Sequence, residues 1–288
     1  MMRPVAKLLA ALSLCMLCLA GAVQAQELTK KQRAAVHRFA YNNSLFVLYH
    51  ELGHLLFHQF DMPVLGREED AADNVATWIL LNKRGPEAEQ ALVDAAEGWI
   101  LSGVAYDSGG SESDYAAVHS LDKQRAYQIV CLMVGMDETS FRPIANEFRI
   151  IRDRQQSCQW DYDTVDRSLR SLLGGRGDKR GTEVVVTYHD AGQRLKEAAQ
   201  AFRASGVFDQ VADELRRNYS LGKTVQFNAK RCGEPNAFYD PETIEVIFCY
   251  ELMQDYMDLY SESLAKDLEP AAPQVEPRKR KKTKIEAS

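Results

Sequence analysis

Histidine is scarce in this chain, six in 288 residues, so two of them four apart carry more weight than they would elsewhere. Positive charge is also short. The 35 Lys and Arg face 41 Asp and Glu, a net charge of −6, and an acidic chain lacks the electrostatic footprint of a nucleic-acid binder. Long apolar runs are limited to one, Leu8 to Val23, behind Arg3 and Lys7 and ahead of Val23-Gln24-Ala25. A basic start, a short apolar centre and small residues before a cut after Ala25 describe a secretory signal peptide, with no membrane span expected once it is removed. Residues 1–25 hold two basic residues and no acid, so the mature chain would set 33 Lys and Arg against 41 acids, a charge of −8. Cysteine is sparse as well. Beyond the leader only Cys131, Cys158, Cys232 and Cys249 remain, none in a C-x-x-C pair, which disfavours a cysteine metal site. An even set in an exported protein favours two disulfides, and local pairing would join Cys131 to Cys158 and Cys232 to Cys249.

What the chain does hold is Tyr49-His50-Glu51-Leu52-Gly53-His54. Residues four apart on a helix share a face, so His50 and His54 can both turn a ring nitrogen towards one metal ion. Glu51 then stands beside the ion without binding it. This is the H-E-x-x-H arrangement of zinc peptidases, in which the Glu is general base for a water that the metal acidifies. Chance would give such a match on the order of once in a hundred chains, so the motif is informative by itself. A solvated, charged helix face is the alternative, and it fits poorly. Leu45-Phe46-Val47-Leu48 enters the motif and Leu52, Leu55, Leu56, Phe57 and Phe60 continue it, so the helix should be buried and its polar groups need partners.

A third ligand is expected on the next helix. Asp61-Met62-Pro63 ends the first helix and Gly66 allows the turn. The second should run from about Arg67 to Asn82 and close at Lys83-Arg84-Gly85-Pro86. Its first turn carries Glu68, Glu69 and Asp70, which could all be partners of the helix dipole. Asp73 is not explained that way. Glu69 as ligand with Asp73 one turn on, accepting the outer N–H of a ligand His, is the pattern of a His/His/Glu zinc site. Glu68 and Asp70 are the substitutes, and His58 reads as a helix-face residue rather than a fourth ligand.

H-E-L-G-H followed by E-D-A-A-D at Glu69 to Asp73 resembles the gluzincin-type metallopeptidases. More closely, the chain resembles a bacterial family of metallopeptidases of unknown function. Its further marks are H-S-L-D-K-Q-R-A-Y at His119 to Tyr127, C-G-E-P-N-A-F-Y-D-P at Cys232 to Pro241 and C-Y-E-L at Cys249 to Leu252. The resemblance spans roughly Asn43 to Tyr260 and implies a zinc hydrolase fold. It covers His119 and Arg125, which with Tyr115 are candidates to stabilise the charge on a reacting carbonyl oxygen. A capping or buried ion-pair role is as compatible with each.

Gln32 to Leu173 reads as helix almost throughout, interrupted by a polar Gly-rich loop at Asp107 to Asp114, either a lid or a plain connection. Gly174 to Gly181 reads as a linker. Val184 to Tyr188 and Thr224 to Phe227 read as strands, with helices near Ala191 to Arg203 and Val207 to Arg217 between them. Ala237-Phe238-Tyr239 and Ile244 to Phe248 flank the turn residues Asp240 to Thr243, a hairpin. Tyr250-Glu251-Leu252-Met253-Gln254 has the shape of H-E-L-G-H with both histidines replaced, either a relic or a structural helix with a chance likeness. The segment should place its sheet beside the zinc helix, where an edge strand could hold an extended peptide.

The expected class is therefore α+β: a mainly helical gluzincin-like zinc core at 26–173, a linker at 174–181, a smaller α+β part with the hairpin at 182–265, and a disordered basic tail at 266–288. The expected function is that of a periplasmic or secreted metallopeptidase with one Zn2+ per chain and a peptide or protein substrate. A zinc-bearing binding or assembly module of the cell envelope is the alternative, and the retained Glu51 argues against it.

Overall fold

The computed structural model describes residues 28–174 and 181–268. The expected signal peptide, nearly all of the linker and most of the basic tail lie outside the described residues. Among the described residues no helix is long and apolar enough to cross a membrane.

Helix α1 (Lys30–Gln59) is the axis of the fold. Thr29 caps it in a reciprocal box with Gln32, and the helix runs 30 residues, longer than the apolar stretch alone suggests. Its second half is buried on every side, from Asn42 through Gly53, because other elements cover it all round. Asp61 turns the chain with a positive φ of 47°, and α2 (Glu68–Lys83) returns along α1. Gly85 and Pro86 then separate α2 from α3 (Pro86–Ala105), as a Gly stop followed by Pro at a helix start should.

The Gly-rich loop contains a short helix, α4 (Glu112–Tyr115), and is tied down by Asp114, which accepts from the backbone N–H of Gly109 and Ser111. Helices α5 (Asp122–Met136), α6 (Glu138–Glu147) and α7 (Arg152–Leu173) complete the helical part. A disulfide from Cys131 to Cys158, with Cα atoms 5.1 Å apart, joins α5 to α7.

Strand β1 (Val184–Tyr188), helices α8 (Lys196–Ser205) and α9 (Val207–Asn218), strands β2 (Val225–Lys230), β3 (Ala237–Asp240) and β4 (Glu245–Cys249), and helix α10 (Tyr250–Leu268) follow. The sheet order is β1-β2-β4-β3. β1, β2 and β4 are parallel neighbours, and β3 pairs antiparallel with β4 as the expected hairpin, leaving β3 at the edge. The second disulfide, Cys232 to Cys249, brackets that hairpin. Phe202 and Phe248 stack at 4.0 Å, with Phe208 against Phe227, to hold α8 and α9 on the sheet.

One hydrophobic core runs through both parts of the chain. Tyr41 and Tyr49 on α1 donate to Gln210 and Glu214 on α9, and His58 and Gln59 at the end of α1 hold the Tyr239 hydroxyl on β3. The sheet edge is thus fixed beside the helix that carries the histidines. In the helix resembling H-E-L-G-H, Glu251 accepts the backbone N–H of Cys232 and Gly233.

Candidate metal centre

Gly53 allows the centre to form. A Cβ at this position would lie 3.1 Å from the Ala72 Cα, so the absent side chain lets α1 and α2 touch backbone to backbone. Ala72 lies between Glu69 and Asp73, and the close approach delivers both carboxylates to the two histidines. His50 Nε2 lies 3.1 Å from His54 Nε2, and Glu69 Oε2 lies 3.1 Å from the first and 3.3 Å from the second. A tetrahedral ion with bonds of roughly 2.0–2.1 Å holds its ligand atoms about 3.3 Å apart. Two imidazoles and a carboxylate in this triangle fit a divalent metal ion, and these three form the one such group among the described residues.

The outer atoms of the two rings are held as well. His50 Nδ1 donates to Asp73 Oδ1 at 2.8 Å. His54 Nδ1 lies 2.8 Å from Glu68 Oε1. Each ring therefore has a carboxylate behind it that fixes the tautomer with Nε2 facing the centre. Sequence reasoning assigned Asp73 in this way but treated Glu68 only as a substitute ligand. Its exposed position in an acidic first turn gave no signal of a partner.

The electrostatics follow from burial set against close partners. Burial alone would lower the His50 pKa, but hydrogen bonds to Asp73 and Glu69 carry it up to about 9. His54 is raised too, with burial again opposing and Glu69 and Glu68 prevailing. Burial opposes ionisation of Glu69, yet hydrogen bonds from His119, His50 and His54 hold its carboxyl far below the usual range. Asp73 is also held low against burial, first by the charge of Arg125. Glu51 differs: burial pushes its carboxyl up, with the charges of His50 and His54 and the Tyr239 backbone N–H partly opposing.

The remaining candidates are spread around this floor. His119 lies beside the triad, its Nε2 2.8 Å from Glu69 Oε2 and its ring partly exposed. Arg67 holds this segment through the His119 carbonyl, and Asp70 accepts from Ser120. Arg125 is buried and engaged from two sides, paired with Asp73 and stacked 3.5 Å over the Trp99 ring. Its guanidinium stands behind Asp73 and His50 and does not line the cleft. Tyr115 is bound into its own loop, donating to the Gly109 carbonyl. His58 is occupied by Tyr239 and lies outside the triad.

The triad lines a cleft of about 920 Å³. Segment 116–119 forms one wall and β3 with its approach, Asn236 to Tyr239, the other. Comparison with curated proteins and with solved structures returns no match. A family model described as "Putative metallopeptidase" matches residues 10–173 and 188–279, covering both helices of the centre and the hairpin. The chain belongs to that metallopeptidase family.

Proposed function

We propose that this chain is an exported zinc-dependent peptidase in which His50, His54 and Glu69 hold the ion and Glu51 is the general base. The observation that carries this reading is the triangle of His50 Nε2, His54 Nε2 and Glu69 Oε2 at the cleft floor, with the buried Glu51 alongside. When bound, the ion supplies Lewis acidity, which acidifies water and polarises a carbonyl.

The residues of the chain divide the rest of the work. Glu51, its pKa raised by burial, is suited to take a proton from water and pass it to the departing amine. Asp73 and Glu68 keep the two rings aimed. His119, whose Nε2 lies 2.8 Å from Glu69 Oε2, is the candidate donor to the negative charge that develops on a carbonyl oxygen. Arg125 holds Asp73 in place, a positioning role in preference to contact with substrate. β3 is the edge strand of the sheet and lines the cleft, so an extended peptide can add to it beside the triad. Zinc is favoured because two imidazoles and one carboxylate, with a position left open, are its familiar catalytic set. Two disulfides are compatible with export.

The test is Glu51→Gln beside wild type, with elemental analysis and cleavage of a mixed peptide library. Metal content of about one per chain in both, with turnover reduced by roughly 10²–10⁴ in the variant, is the expected result. Equal behaviour of the two proteins would favour a zinc-bearing binding module instead.

A further inference from the structure

The centre opens on a second cavity besides the cleft. A space of about 360 Å³ begins at Glu51 and His119 and runs along α1 towards Asn43, between α3 and α10. The stretch of α1 that lines it, Asn43 to Glu51, spans about 12 Å, long enough for an extended side chain. The side chain of a residue held at the cleft floor would fit within that length. Its walls are chiefly apolar, formed by Phe46, Trp99, Leu252, Tyr256 and Leu259. Gly98 keeps one wall open, since a Cβ there would fall 2.0 Å from Asn43 Oδ1.

The lining is not all apolar. Asp255 on α10 lines the cavity and accepts a hydrogen bond from the Tyr106 hydroxyl at the end of α3 through Oδ1. No Lys, Arg or His among the described residues forms a salt bridge with Asp255, which leaves Oδ2 for a further donor. Burial and the nearby Tyr106, Asp258 and Glu262 act on this carboxyl, and the net effect is to push its pKa up, as expected of a partly buried acid without a cation. Arg125, at the metal end, is committed to Asp73.

We propose that this cavity receives the substrate side chain next to the bond that is cut, and that Asp255 selects a basic one, lysine or arginine. The apolar walls take the methylene stem, and the cationic end meets Asp255 beside the Tyr106 hydroxyl. The proposal rests on the peptidase reading for the position of the bond, but the recognition itself can be measured without turnover.

The experiment uses the zinc-loaded Glu51→Gln protein and three peptides that differ at one central residue, lysine, norleucine or glutamate. Binding is followed by calorimetry. Lysine should bind tighter than norleucine by roughly tenfold or more, the scale of one charge-assisted hydrogen bond, and glutamate weakest. Adding Asp255→Asn, which keeps an acceptor for Tyr106, should erase the difference between lysine and norleucine. Equal or tighter binding of norleucine, a lysine preference that survives Asp255→Asn, or no binding of any of the three would overturn the proposal. Cleavage of the same peptides by wild type separates the two readings. Asp255-dependent lysine binding without cleavage would sink the peptidase and leave the pocket, while cleavage indifferent to lysine would do the reverse.

Discussion

Arg125 and Asp73 form a two-pronged pair, Nε to Oδ2 at 2.7 Å and Nη2 to Oδ1 at 2.8 Å, and the same Oδ1 accepts from His50 Nδ1. The arginine therefore acts on the centre through the aspartate. Arg125→Met should leave a buried carboxylate short of its cation and cost about 3–5 kcal/mol of stability. Asp73→Asn removes the charge behind His50 and should weaken metal binding by roughly 10–100-fold. Thermal denaturation and chelator competition on both variants check this. Unchanged metal affinity in Asp73→Asn would refute the orienting role.

Gly53 gives a second test, because it decides how closely α1 and α2 approach. In Gly53→Ala the gain in helix propensity, about 1 kcal/mol, opposes a Cβ placed 3.1 Å from the Ala72 backbone. Stability should change little. Metal affinity should fall, by roughly tenfold, because Glu69 and Asp73 move with α2. Gly53→Val, with more bulk at the same contact, should lose the metal altogether. A Gly53→Ala protein that binds metal as wild type does would show that the helices can part without moving the ligands.

These two residue sets also mark how far the sequence could be read. His50, Glu51, His54, Glu69 and Asp73 follow from spacing on two adjacent helices, where local periodicity fixes which side chains share a face. The hairpin and both disulfides were legible for the same reason, since each closes a short stretch of chain. Arg125 was found as a residue of interest, but its direction depends on how α5 packs against α2 and α3. The cavity lined by Asp255 depends on α10, roughly 150 residues beyond the α3 wall it faces, and no periodicity reports that pairing. The same limit applies to Glu68, whose partner is set by the crossing of two helices.

Metal affinity should depend on pH in a direction the site dictates. Without metal, His50 holds its proton up to about pH 9, whereas a ligand must offer a neutral ring nitrogen. The raised pKa means that the charged ring stabilises the metal-free fold below the unfolded value of about 6.5, and that this contribution is lost as pH rises through about 9. Binding therefore displaces at least one proton at neutral pH. Apparent zinc affinity should rise by about tenfold or more per pH unit as pH climbs from 7 towards 9 and then level off. Calorimetry in two buffers of different ionisation enthalpy counts the protons released, and a count of zero at pH 7 would contradict the assignment.

The two disulfides should separate stability from function. Cys131 and Cys158 are 27 residues apart and join helices behind the centre, while Cys232 and Cys249 are 17 apart and brace the hairpin whose edge strand lines the cleft. Chain-entropy arguments put their contributions at about 3.5 and about 3 kcal/mol, so replacing either pair with serine should lower stability by similar amounts. Their effects on the cleft should differ. Loss of Cys232–Cys249 frees the approach to β3, although Glu251 still holds Cys232 and Gly233 by their backbone N–H. Faster amide exchange across residues 236–239 is expected there, and not when Cys131–Cys158 is removed. Metal content should be near one per chain in both, because neither bond touches α1 or α2. Equal exchange at β3 in the two variants would mean that the contacts of His58 and Gln59 with Tyr239 suffice to hold the edge strand, and the disulfide would then serve stability alone.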